Sequence, residues 1–403
     1  MKFFYNNLRN IYLILIFSGF LFVSILPNFF GMADALFSIL FRAVVFLLAI
    51  SIIIFTAFSS NLYTINLSAF KLFIFFWIIY SFRIFYDLIY SEIIFDSQKS
   101  IFEYFQYAFG VVLIPSVAVM FLDYKKINFD FVLKWVYKTI FFVLLLALFT
   151  RNNNVSSRST DGLEIGILSF GQYGTSLCLL SLYLFNRNRY NFNSILYIVG
   201  FIIGFISIFL SASKSPFIGL LLVTIIFSAL KFRRYKFLVI SFFLSFIIYN
   251  FFFDIMFFLN NYFQSTFINR LLLFLELGTD NVREKLLKKG FDAFMDNPFF
   301  GKSMLFDKGI FKGTYPHNLI IEAFMATGLL GGLFFLFYII KCFKISIKLI
   351  INNSQISWIS LLFFQFLIFA MFSGNLFKSY LFWYSSILII TVSSEITNHK
   401  SKI

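Results

Sequence analysis

Two histidines occur in the chain, and only His317 stands beside a long apolar run. It belongs to "KGTYPHNLIIEAFMATGLLGGLFF", Lys312 to Phe335, which starts polar and ends as a hydrophobic segment. Imidazole exchanges a proton near neutral pH, so His317 is a candidate acid–base group. Asn318 follows it, and Glu322 lies one helical turn beyond Asn318 on the same face. An ionisable group a turn inside an apolar span is a functional candidate by default. No cysteine and no second histidine is near His317 in the sequence, which argues against a zinc site. The chain has no Gly-x-Ser-x-Gly and no Walker-type loop, so an ATP-driven activity is not indicated.

Four cations are candidates to meet an anion. They are Arg158 in "SSRSTDGLEIG", Lys214 in "SASKSP", Arg270 and Arg283. Two readings stand for each. Exposed charge is the usual state of Lys and Arg and needs no ligand. Alternatively, Arg grips phosphate through its planar fork of donors while Lys acts as a point charge. Lys214 is the most informative, because it falls between two apolar runs with Ser211, Ser213 and Ser215 around it. Pro216 suits the first turn of the next helix. The junction is either a broken helix lining a wet cavity or a very short turn whose lysine reaches the headgroups. Arg42 and Arg83 lie inside apolar segments. Asp87, one turn after Arg83, suggests a structural ion pair there.

The elements that must position these groups are membrane helices. Of the 403 residues, 60% are apolar and 13% charged, against about 25% charged in a soluble protein. About 20 apolar residues cross a bilayer, and segments of that kind fall near 10–27, 36–58, 69–88, 102–122, 131–150, 164–185, 194–211, 215–230, 237–259, 317–341, 355–373 and 376–394. The expected fold is an all-α polytopic membrane protein of about twelve transmembrane helices, one integral domain over residues 1–403. The net charge of +15 does not indicate nucleic acid, because the basic residues fall mainly in alternate short loops, as topology signals and contacts with anionic lipid do. That bias places both termini in the cytoplasm. The N-terminus lacks a small-residue cleavage site and is expected to be an uncleaved first span. Neither Cys178 nor Cys342 has a partner spacing that suggests a disulfide.

One connection, 260–316 between the ninth and tenth spans, is far longer than the others and is expected as a large external (periplasmic) loop. Loops of that length are functional or disordered. In "NVREKLLKKGFDAFMDNP", Val282, Leu286, Leu287, Phe291, Phe294 and Met295 recur near helical spacing before Pro298 ends the pattern. A short amphipathic helix at the outer interface is expected.

These motifs together resemble the O-antigen ligase and polymerase superfamily. "YPHNLIIEAFMATGLLGGLFF" is similar to its signature, in which a His-Asn pair opens a span and a Gly-x-x-Gly follows. "RSTDGLEIGILSFGQYG" resembles the arginine-led entry to a middle span. "SASKSPFIGLLL" resembles a Ser-Arg-Gly-type turn, with Lys214 where the family usually has Arg. "VREKLLKKGFDAFMDNPFFGKS" resembles the Arg-led helix of the large loop ending in Asn-Pro-x-x-Gly.

The resemblance implies metal-independent glycosyl transfer, with no cofactor, at the periplasmic or outer face of a bacterial cytoplasmic (inner) membrane. The implied donor is an undecaprenyl-diphosphate-linked oligosaccharide. The polymerase reading joins repeat units into O-antigen or capsular-type polysaccharide. The ligase reading moves glycan to lipid A–core of lipopolysaccharide. On either, His317 is the expected general base. Arg158, Lys214, Arg270 and Arg283 are expected to hold the diphosphate, and Asn318 and Glu322 to orient His317 or bind sugar. Membrane lipids and a chain-length regulator protein are the further partners implied. A flippase or transporter is the rival from another class, but it should show internal repeats and ionisable groups at the bilayer midplane, whereas this chain shows no internal repeat, one dominant long loop and candidate charges clustered toward one face.

Overall fold

The computed structural model describes residues 2–23, 34–58, 67–90, 101–149, 167–187, 194–211, 213–232, 281–352 and 354–393. Among the described residues the regular structure is entirely helical. In chain order the helices are α1 (Lys2–Ile14), α2 (Asp34–Phe58), α3 (Leu67–Ile89), α4 (Ile101–Met120), α5 (Phe129–Phe149), α6 (Ile167–Arg187), α7 (Ser194–Leu210), α8 (Lys214–Phe232), α9 (Asn281–Asp296), α10 (Leu319–Ile351), α11 (Ser357–Ser373) and α12 (Tyr380–Val392). Every apolar segment expected from the sequence coincides with one of them except the ninth, 237–259, which lies outside the described residues. So does the part of the long connection before Asn281.

Among the described residues, five helices are long and apolar enough to cross a membrane: Phe37–Phe58, Ala69–Ile89, Ile101–Met120, Phe129–Phe149 and Leu319–Ile351. Asn7–Val23, Ser194–Leu210, Ser215–Lys231, Ser357–Ser373 and Tyr380–Val392 are apolar but shorter. Helix α6 is long, yet Gln172, Thr175, Ser176, Ser181 and Asn186 make it more polar than these.

The chain divides into two compact units. The first combines residues 1–41, 128–279 and 349–365. There α6 and α7 approach through small residues. A Cβ added at Gly174 would stand 2.7 Å from the Gly204 carbonyl oxygen, and one at Gly204 would stand 2.8 Å from Cys178 Sγ. Small residues of this kind let membrane helices meet backbone to backbone where no hydrophobic force drives them together. Cys178 is buried by that contact. Arg187 and Asp130 form a bidentate pair at 2.6 and 2.9 Å between α6 and α5.

The second unit combines residues 42–127, 280–348 and 366–403. Its centre is an aromatic cluster around Trp383 of α12, whose ring lies 5.2 Å from Trp77, 5.6 Å from Phe73, 5.7 Å from Phe335 and 5.8 Å from Tyr338. Rings bury much area and favour tilted contacts at such distances, which fixes α3, α10 and α12 against one another.

Helix α10 is broken at Gly328, whose backbone (φ 65°, ψ −162°) only glycine adopts readily. The stretch after α9 fills the break. Leu329 N donates to Pro298 O at 2.7 Å, and Lys302 N donates to Met325 O at 2.8 Å. Arg83 of α3 completes the junction, donating to the carbonyls of Ala326 (2.8 Å), Lys302 (3.1 Å), Phe300 (2.8 Å) and Gly301 (2.8 Å). Its expected partner Asp87 is there at 3.3 Å and accepts from Met304 N at 2.6 Å. Non-helical backbone inside a membrane domain is tolerated only where protein satisfies its polar groups, and Arg83 does so here.

Candidate functional site

The site is built in the second unit, where the chain after α9 enters α10. Gly290 of α9 lies against Pro316 and Ile321, each within 2.8 Å of where its Cβ would be. Arg283 is seven residues earlier, two turns along the same face. Its charge acts on the His317 ring, although Arg283 itself is exposed. The sequence thus placed the amphipathic helix correctly at Asn281–Asp296, and packing at Gly290 aligns it with the entry to α10.

His317 has φ 56°, the left-handed region, and among the described residues no other non-glycine does. Histidine enters that region more often than most side chains, but holding it there costs on the order of 1–3 kcal/mol, and such strain clusters at functional sites. The turn lets Asn318 cap α10. Asn318 Oδ1 accepts from Ile320 N at 3.1 Å and Ile321 N at 3.2 Å, and its Nδ2 donates to Met371 O at 3.4 Å. A side-chain oxygen on the first free N–H groups is the usual N-cap arrangement.

The ring of His317 lies 4.3 Å from that of Tyr315, centre to centre. It is half-buried and donates to the carbonyl of Ser373, where α11 ends. Burial holds its pKa below the ordinary histidine value. The Ser373 carbonyl opposes that shift, and the Arg283 charge adds to it. The imidazole is therefore neutral near pH 7, with one nitrogen donating to Ser373 and the other available as an acceptor.

A tight turn, residues 373–379, faces this segment. Lys378 N donates to Asn375 Oδ1 at 2.7 Å, and Asn375 N to Ser379 Oγ at 3.2 Å. Asn375 also hydrogen-bonds the Tyr315 hydroxyl, and burial raises the Tyr315 pKa. Glu322 is wholly buried, and its Oε1 accepts from Leu376 N at 3.0 Å. Lys378 lies 3.8 Å from Glu103 and 4.3 Å from the centre of the Tyr107 ring. Arg42 stands 4.5 Å from the same ring.

Of the residues singled out in the sequence, the structure brings together His317, Asn318, Glu322 and Arg283. Arg158 and Arg270 lie outside the described residues. Lys214 opens α8 in the first unit. The turn before it packs closely, since a Cβ at Gly171 would come within 2.4 Å of Ser211 Oγ and 2.7 Å of Pro216 Cγ. The Ser211 hydroxyl is taken by Ile208 O at 2.7 Å. The contribution of Tyr315, Ser373, Asn375 and Leu376 was not legible in the sequence. Three of these four act in the site through a turn some 55 to 60 positions after His317, two of them through backbone atoms, which carry no side-chain signature.

Fold and site together define a helical protein with membrane-crossing helices and a half-buried, strained histidine at the mouth of one of them. Residues 199–336 match the family model described as O-antigen ligase, so the superfamily likeness read from the motifs is shown over that stretch. It contains "SASKSPFIGLLL", helix α9 with its Asn-Pro-x-x-Gly end, and the His317 signature; "RSTDGLEIG" falls before it. No curated protein and no solved structure matches the chain.

Proposed function

We propose that the protein is a membrane glycosyltransferase that polymerises undecaprenyl-diphosphate-linked repeat units into a surface polysaccharide. The observation that carries this reading is His317, an imidazole kept neutral by burial beside the Arg283 charge, within the segment matching the O-antigen ligase family.

The acceptor hydroxyl is a weak nucleophile. His317 takes its proton on the ring nitrogen not used by Ser373 as the oxygen attacks the anomeric carbon. The bond from that carbon to the diphosphate oxygen breaks, and the diphosphate leaves with the electron pair. Displacement in one step inverts the anomeric centre. Charge developing on the diphosphate is met by cations, for which Arg283, Lys214, Arg158 and Arg270 are the proposed set. The active site faces the periplasm, the termini face the cytoplasm, and residues 260–316 form the external loop.

The ligase reading is favoured by the family description itself. Gel profiles of the surface glycan separate the two. Loss of a polymerase leaves single repeat units on the core, whereas loss of a ligase leaves core with no polymer. His317→Ala at normal abundance should reproduce the null phenotype, and full-length polymer from that variant would refute the role of His317.

A further inference from the structure

Glu322 is costly where it stands. It is wholly buried one turn into α10, and its Oε2 has no hydrogen-bond partner among the described residues. A buried carboxylate is tolerated when its hydrogen bonds repay it, and the bond this one makes is to a backbone N–H, that of Leu376. That N–H belongs to the turn whose first residue, Ser373, offers its carbonyl to His317.

The turn is internally stiff. Ser379 N donates to Asn375 O at 3.1 Å, Gly374 N to Ala370 O at 3.1 Å, and Trp383 Nε1 to Leu376 O at 2.9 Å. Ring contacts of Trp383 with Phe335 and of Phe377 with Tyr315 hold it near α10. The hydrogen bonds that set it more finely include Glu322 to Leu376 at 3.0 Å, the longer Asn318 to Met371 contact at 3.4 Å, and the Tyr315–Asn375 bond. Glu322 and His317 thus grip the turn at two points three residues apart. Glu322 N in turn donates to Asn318 O at 2.9 Å, which joins both grips to the first turn of α10.

We propose that Glu322 is a positioning residue: by holding the backbone of Leu376 it sets the Ser373 carbonyl against the His317 ring, fixing one imidazole tautomer and aiming the other nitrogen at the acceptor hydroxyl. A ring held this way needs no rearrangement before it accepts a proton, which is the benefit of preorganisation. Glu322 itself carries no proton in the reaction and does not touch sugar. The catalytic consequence rests on the proposed role of His317, whereas the tautomer assignment rests on the Ser373 carbonyl beside the His317 ring and on the Glu322–Leu376 bond.

The test uses the full chain in lipid vesicles, labelled with ¹⁵N-histidine, with His399→Gln introduced so that one histidine remains. Solid-state NMR at about pH 8.5, well above the ordinary histidine pKa, reports the tautomer of His317. One tautomer should dominate in the parent and in Glu322→Gln, whose amide oxygen still accepts from Leu376. Glu322→Asp, which keeps the charge but falls short of Leu376, should give a mixture of tautomers, as should Glu322→Leu. In lipid-linked transfer assays the same two variants should lose about 10- to 100-fold in kcat with little change in KM, while Glu322→Gln stays near the parent. A single unchanged tautomer in Glu322→Asp and Glu322→Leu overturns the proposal. So does a Glu322→Gln protein with normal tautomer but no activity, because that result makes the carboxylate a proton carrier. Should His317→Ala remain active, the transfer reading fails, yet the tautomer experiment still decides the role of Glu322.

Discussion

Replacing Arg83 by methionine keeps an unbranched stem, loses the guanidinium and removes every donor. In the native protein those donors serve four backbone carbonyls at 2.8 to 3.1 Å and the Asp87 carboxylate at 3.3 Å. The Asp87 side chain is only 1% exposed and that of Arg83 14%, so water replaces little of this. Removing one partner of a buried ion pair costs about 3–5 kcal/mol, because the other charge remains desolvated. The orphaned carbonyls would add about 1–3 kcal/mol each if none relaxed. The break at Gly328 opens first, since Arg83 ties Ala326 to the Phe300–Lys302 stretch. We expect at least about 3 kcal/mol of destabilisation, or a fall of about 3.5 °C or more in the midpoint of thermal unfolding for a chain of this size. Fluorescence-detected size exclusion after heating in detergent measures the midpoint, and chymotrypsin reports opening at Leu305 and Phe306, which are buried in the native protein. Arg83→Lys should fall between, since three donors on a point cannot reproduce a fork of five. A methionine variant within about 2 °C of the parent and equally resistant to chymotrypsin would refute the reasoning.

Gly328→Ala should destabilise by about 2–6 kcal/mol, combining a glycine-only conformation with a Cβ placed 2.2 Å from the Phe299 carbonyl oxygen; the same heating assay checks it. The acidic limb of the pH–rate profile should lie below the ordinary histidine range. A general base works deprotonated, and the folded pKa of His317 is lowered, so activity is kept at neutral pH and lost only as pH falls through that lowered value. Arg283→Gln removes one cause of the lowering and should move this limb toward higher pH.

The helices were legible because an apolar run of bilayer length has no other stable home. The Arg83–Asp87 pair was legible because a charge pair one turn apart inside such a run has few alternatives. Helix α9 showed itself through its periodicity and its Pro298 stop. What the sequence hid are the meetings of distant backbone. Gly328 reads as the first glycine of the Gly-x-x-Gly, yet its use is a positive-φ break filled by the Asn297–Gly301 stretch. Glu322 reads as a group that orients His317 or binds sugar, and no sequence pattern signals that its Oε1 meets the backbone of Leu376. Nothing in "FSGNLFKSY" announces that it supplies the carbonyl that orients His317. The pairing depends on α11 and α12 ending beside α10, a tertiary fact without a local pattern.

The central claim is that His317 moves the acceptor proton in glycosyl transfer. It is tested most directly with purified His317→Ala protein and the parent, each incubated in detergent with lipid-linked repeat units and followed by chain length on a gel. Chain growth is expected from the parent and none from the variant, at matched amounts and matched thermal midpoints. Growth by His317→Ala at the parent's rate would contradict it.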